Sequence, residues 1–79
     1  MNVQLKRELL DFDRTRVRPD ECVVSWKGLA REVGVSEDTL QRWCAQHRIE
    51  LPRWGPFALK SPVFLPRVKV QILRELYFG

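Results

Sequence analysis

Cysteine and histidine are the side chains that could support metal binding or nucleophilic catalysis, and the sequence has two cysteines and one histidine. Cys44 and His47 are three residues apart, a spacing that brings two ligands together on one side of a helix. A structural zinc site takes four ligands, and only Cys22 is left to join them. The four glycines are scattered rather than gathered in a phosphate-binding loop. We therefore expect no metal, no cofactor and no enzymatic activity, and we expect Cys44 to be a small core residue.

The distribution of charge points to a different kind of chemistry. The chain of 79 residues carries 14 Lys+Arg and 10 Asp+Glu, a net charge of +4. Residues 1–40 contain 7 basic and 8 acidic side chains (net −1), whereas residues 41–79 contain 7 basic and 2 acidic ones (net +5). Such an asymmetry favours a polyphosphate partner, with solvated surface charge as the alternative. The apolar fraction of 44% is typical of one folded domain, residues 1–79.

The helices that would carry these charges begin with a short amphipathic segment at residues 3–12. Leu5, Leu9 and Phe12 recur at helical spacing and form its apolar face. That face must be buried, either in the core of the domain itself or against a second copy of the chain.

Residues 26–48 predict two helices joined by a tight turn. Ser25 and Ser36 are suited to cap the two helices, and Gly34 to end the first of them. The inward-facing positions share apolar or small side chains at helical spacing; they are Trp26, Leu29, Ala30, Val33, Leu40, Trp43 and Cys44. This pattern is typical of a helix-turn-helix, although an ordinary helical hairpin packs in the same way.

After Arg48 the sequence becomes rich in proline, and the predicted structure changes to a hairpin. Ile49–Leu51 and Val63–Leu65 predict two short strands of a wing over residues 49–65. Pro66 suits the first position of a last helix over residues 66–77. We expect one side of that helix to be apolar, formed by Val68, Ile72, Leu73, Leu76 and Tyr77. A further short extended segment is expected at Cys22–Val24.

The stretch LAREVGVSEDTLQRW resembles the helix-turn-helix of the MerR-like and excisionase-like winged-helix proteins, in which a Trp or Tyr often follows an Arg of the second helix, as Trp43 follows Arg42. The hairpin and helix that follow are similar to the same group, so the resemblance covers residues 22–77. It implies a mainly α fold with a small two-stranded β wing, a winged helix-turn-helix. Since the sequence ends at Gly79, we expect no long dimerising helix of the kind found in MerR regulators. The resemblance therefore favours small excisionases and phage or mobile-element regulators.

Helix geometry indicates which side chains would contact DNA, since the exposed face of the second helix would enter the major groove. Arg42 can pair with guanine or phosphate, and Gln41 can read adenine. Glu37 and Asp38 can either accept from cytosine or stabilise the first turn of the helix. The predicted contacts are Ser36, Glu37, Asp38, Gln41, Arg42, Ala45, Gln46 and Arg48 of the second helix, Arg53 and Lys60 of the wing, and Lys27 and Arg31 of the first helix. Trp54 is expected to pack beneath the wing.

Three arginines alternate along the loop before residue 20, at Arg14, Arg16 and Arg18. An extended chain would direct all three to one side, like an arm laid on DNA. Acidic residues surround them, and local ion pairing is the favoured interpretation.

The function predicted from the sequence is sequence-specific binding of double-stranded DNA, as a small transcriptional regulator or a recombination accessory protein. A transposase or small-terminase DNA-binding domain is one alternative, and a protein-interaction module on a helix-turn-helix scaffold is another. Partners other than DNA would be a second copy, bound cooperatively, or a recombinase. The sequence has no membrane span and no signal peptide, so we expect a nucleoid-associated cytoplasmic protein with reduced thiols.

Overall fold

The computed structural model describes residues 2–54 and 62–79, which form four helices and a small sheet. The helices are α1 (Val3–Leu10), α2 (Trp26–Val33), α3 (Glu37–Gln46) and α4 (Arg67–Phe78). The strands are β1 (Cys22–Val23) and β2 (Leu65–Pro66), and a single 3-10 turn (Pro19–Glu21) precedes β1. None of the helices in the described ranges combines the length and the apolar character needed to cross a membrane.

The apolar face of α1 closes the core of the domain itself. Leu9 is completely buried, and Leu5 and Phe12 pack against the same cluster. Helix α1 lies on α4, and α2 packs on both α3 and α4. The predicted helix 3–12 ends two residues early at Leu10, because Asp11 leaves the helical conformation. Phe12 nevertheless reaches the core, where its ring meets Phe64 edge to face at 6.1 Å.

The two central helices and their turn form as the sequence predicts. The Ser25 hydroxyl accepts from the backbone N–H of Gly28, and the Ser36 hydroxyl accepts from that of Thr39. Gly34 ends α2 in the left-handed conformation with φ of 95°, which costs glycine little. Buried side chains on α2 and α3 then face each other; they are Leu29, Ala30, Val33, Leu40 and Cys44.

The sheet pairs differently from the prediction. Ile49–Leu51 forms no strand; instead β1 pairs antiparallel with β2, placing Val23 opposite Leu65. The segment that follows α3 pairs with the segment that leads into β2 through an isolated antiparallel bridge between Arg53 and Val63. Its two backbone hydrogen bonds run from Trp54 N–H to the Pro62 carbonyl and from Phe64 N–H to the Pro52 carbonyl. Both prolines therefore serve as acceptors, the only backbone role open to a residue without an N–H.

The end of α3 explains why Ile49 is not in a strand. Helix α3 ends at Gln46 rather than Arg48, and Arg48 adopts a left-handed φ of 57°. The Ile49 N–H bonds to the Cys44 carbonyl (2.8 Å) and the Arg48 N–H to the Ala45 carbonyl (3.2 Å). This is the Schellman arrangement that ends many helices, here with arginine where glycine is usual.

The register of α4 also departs from the prediction. Pro66 caps α4 as its N-cap rather than its first helical residue, and it still belongs to β2. Val68 was predicted to face the core but is 79% exposed, whereas Val70 is buried. The inward face is set by Val70, Leu73 and Leu76, spaced at three residues, with Tyr77 packed beside them.

Candidate nucleic-acid interface

Helix α3 is buried on one side and polar on the other. Leu40 and Cys44 are buried, and Trp43 is half-buried against the core. The residues predicted to contact DNA on this helix are all exposed; they are Ser36, Glu37, Asp38, Gln41, Arg42, Ala45 and Gln46. The structure therefore presents them together on one open face.

Two side-chain pairs at i, i+4 spacing order this face. The Arg42 guanidinium lies 3.1 Å from the Asp38 carboxylate, and the Gln41 amide donates to the Glu37 carboxylate at 3.3 Å. The side chains of Arg42 and Asp38 are 81% and 74% exposed, so their ion pair adds at most about 1 kcal/mol. Each pair lays its donor side chain along the surface of the helix. Because both pairs are exposed, Gln41 and Arg42 can exchange these partners for a ligand at little cost.

Three other elements fix the position of α3. The Trp43 ring packs 5.2 Å from the Tyr77 ring of α4. The Lys6 ammonium of α1 donates to the His47 carbonyl at the C-terminal end of α3, at 2.8 Å. Together with the packing of α2 on α3, these contacts join α3 to each of the other three helices. Sequence reasoning missed the role of Lys6, since only the tertiary structure brings the two residues together.

The hairpin after α3 contributes Arg53 and Trp54. The Trp54 ring stacks on the buried Phe64 ring at 4.1 Å with an interplanar angle of 25°, so this side chain packs against the core. Arg53 is half-buried at the base of the hairpin. Lys60, predicted as the contact at the hairpin tip, lies outside the described residues.

A groove of about 600 Å³ runs beside α3. It is lined by Gln41 and Ala45 from the exposed face of α3, and by Arg53 from the hairpin. Arg14, from the loop after α1, lines it as well, and Glu50 is its acidic member. Gln41, Ala45 and Arg53 therefore meet in one concave surface, and Arg14 lies there as well, although the sequence does not predict it as a contact.

The other predicted contacts in the described residues lie outside that groove, including Ser36, Glu37, Asp38, Arg42 and Gln46 of α3. Lys27 and Arg31 are exposed on α2, and Arg48 is exposed just past the end of α3. Each is accessible to a phosphate. None of these three residues lines the groove that contains Gln41 and Ala45.

The two cysteines are buried free thiols. Cys44 belongs to the core, as predicted, and burial raises its pKa to about 11. Burial is also the largest cause that raises the pKa of Cys22, followed by the carboxylates of Glu21 and Asp20. Among residues 2–54 and 62–79, no group of three His, Cys, Asp or Glu side chains is placed to hold a metal ion.

No protein-family model, no curated protein and no solved structure matches this chain.

Proposed function

We propose that the protein is a winged helix-turn-helix that binds double-stranded DNA, with α3 in the major groove. The observation that carries this proposal is the one-sided exposure of α3. Its inner face is fixed by Leu40 and Cys44, while its outer face offers the donors of Gln41 and Arg42 to solvent. Because such a helix is already ordered, little further conformational entropy is lost when its side chains contact base edges.

The order of elements supports the winged form of the motif. A strand (β1) precedes the two helices and pairs with β2, which follows the hairpin, so the hairpin is tied to the base of α2. Arg53 lies in the groove beside α3. A backbone phosphate next to the major groove would lie within reach of such an arginine.

Within this proposal, α3 supplies sequence recognition and the surrounding cations supply affinity. Arg42 would read guanine and Gln41 adenine, each after leaving its carboxylate partner on the helix. Glu37 and Asp38 would remain as stabilisers of the first turn, where negative charge is favourable. The resemblance to small excisionases and phage regulators makes a regulator or recombination accessory protein the proposed biological role.

Selection of bound duplexes from a random pool tests the proposal. Enrichment of a defined motif, with binding that weakens steeply as salt rises, is the expected result, because phosphate contacts release counterions. A pool without enrichment and binding indifferent to salt would overturn it and favour the protein-interaction module. The selected sequences would also separate the regulator from the transposase or terminase domain, since inverted or direct half-sites indicate paired binding.

A further inference from the structure

The loop between α1 and β1 turns at residues 14–16 and does not lie as an extended arm. Residues 14–16 form a turn in which Asp13 accepts from both the backbone and the hydroxyl of Thr15, at 2.9 and 2.6 Å. The Arg16 N–H closes the turn on the Asp13 carbonyl at 3.1 Å. The turn therefore separates arginines that an extended chain would have aligned.

Within this turn, Arg14 and Arg16 have different surroundings. The Arg16 guanidinium pairs with the Asp13 carboxylate at 3.4 Å. Arg14 forms no ion pair with any residue in the described part of the chain, and it lines the groove that also contains Gln41 and Ala45. Arg16 is therefore engaged in a local ion pair, whereas the exposed Arg14 lies on the surface proposed to bind DNA.

We infer that Arg14 binds a DNA backbone phosphate and makes the loop after α1 a third part of the DNA interface, beside α3 and the hairpin. This inference rests on the proposed function and extends it to a region that the winged-helix resemblance does not cover. The ligand is the phosphodiester of duplex DNA rather than a base, since a cation at the edge of a recognition surface meets the backbone first. Arg14 adds affinity and position but no sequence preference.

The groove has the charge that such a contact requires, with one opposing group. Arg14 and Arg53 contribute cations and Glu50 contributes an anion. A phosphate held there gains from the two arginines and is repelled by the carboxylate. Removal of the negative charge by Glu50→Gln should therefore tighten binding to any duplex, whereas Arg14→Ala should weaken it.

The test compares Arg14→Ala with Arg16→Ala, measured by fluorescence anisotropy on a labelled duplex of mixed sequence over a range of salt. Each variant removes one exposed arginine from the same turn, so the pair is matched in charge. Arg14→Ala should reduce the slope of log K against log salt by about 0.9 and weaken binding about eightfold at 0.1 M salt, as expected for one lost phosphate contact. Arg14→Lys should keep the slope, and Arg16→Ala should leave both slope and affinity near those of the wild type.

Equal behaviour of Arg14→Ala and Arg16→Ala would overturn the inference, whether both weaken binding or neither does. If the wild type binds and Arg42→Ala loses its preferred site while Arg14→Ala retains the full salt slope, only the Arg14 contact is wrong. If the wild-type protein shows no salt-dependent binding to duplex DNA, the proposed function and the Arg14 contact both fail.

Discussion

The ammonium group of Lys6 donates a hydrogen bond to the backbone carbonyl of His47, 41 residues away along the chain, over 2.8 Å. His47 is the C-cap of α3, so its carbonyl lies at the negative end of the helix dipole. A cation from α1 thus satisfies an acceptor that the helix itself cannot. It also ties the first helix of the chain to the helix proposed to contact DNA.

Replacement of Lys6 by methionine should lower the free energy of unfolding by about 1–2 kcal/mol, because the carbonyl at the end of α3 loses a charged donor while the apolar stem is retained. Thermal unfolding followed by circular dichroism measures this change. Arg7→Met is the matched control, since Arg7 is the exposed neighbour on α1. Equal melting temperatures for the two variants would contradict the proposed tie between α1 and α3.

Arg48 lies in the left-handed region with φ of 57°, where a side chain costs about 1 kcal/mol relative to glycine. Arg48→Gly should therefore raise the free energy of unfolding by about that amount. If Arg48 also contacts phosphate, Arg48→Gly and Arg48→Ala should both weaken DNA binding, whereas only the glycine variant should melt at a higher temperature. A lower melting temperature for Arg48→Gly would mean that the left-handed end of α3 is wrong.

The Cys44 thiol should make the protein less stable in alkaline solution. Burial raises its pKa from 9.0 to about 11, so the unfolded chain loses this proton before the folded protein does. The stabilisation is complete below pH 9 and is lost as the pH rises toward 11. The measurement is chemical denaturation at pH 8 and pH 10 for the wild type and Cys44→Ala.

The wild type should lose more stability between the two pH values than Cys44→Ala, since Cys22 and the other titrating groups are common to both.

In the native protein at pH 8, Cys44 should also react with a thiol reagent only as fast as the fold opens. Rapid modification of native Cys44 would contradict its burial.

The parts of the fold that the sequence predicts well are those set by local chemistry. Ser25 and Ser36 cap their helices through hydroxyls three residues from their donors, and Gly34 ends α2 in a conformation that glycine adopts freely. The inward residues of α2 and α3 follow helical spacing. These features depend on neighbours within one or two turns, so the sequence contains all the information that they need.

The features that the sequence does not predict depend on tertiary contacts or on backbone conformations that residue spacing does not show. The strand partner of Leu65 is Val23, 42 positions earlier, rather than a residue of the adjacent segment. Gly28 is needed because a Cβ at that position would lie 2.9 Å from the Val23 side chain, a contact that periodicity cannot reveal. Arg48 takes a conformation usually assigned to glycine, which moved the end of α3. Arg14 joins the groove only through the turn after α1.

Arg42 is the residue that tests most directly whether the exposed face of α3 reads DNA sequence. The measurement is the affinity of Arg42→Ala for the selected duplex and for the same duplex with one substituted guanine, at constant salt. Arg74→Ala is the control, because Arg74 is an exposed arginine on α4 rather than on α3. The melting temperature of Arg42→Ala should match the wild type, since the Arg42–Asp38 pair is exposed.

Arg42→Ala should weaken binding to the selected duplex by about 1–3 kcal/mol and abolish the preference between the two duplexes, while Arg74→Ala should keep that preference. A variant at Arg42 that is folded and discriminates between the two duplexes as well as the wild type would contradict recognition of DNA through α3.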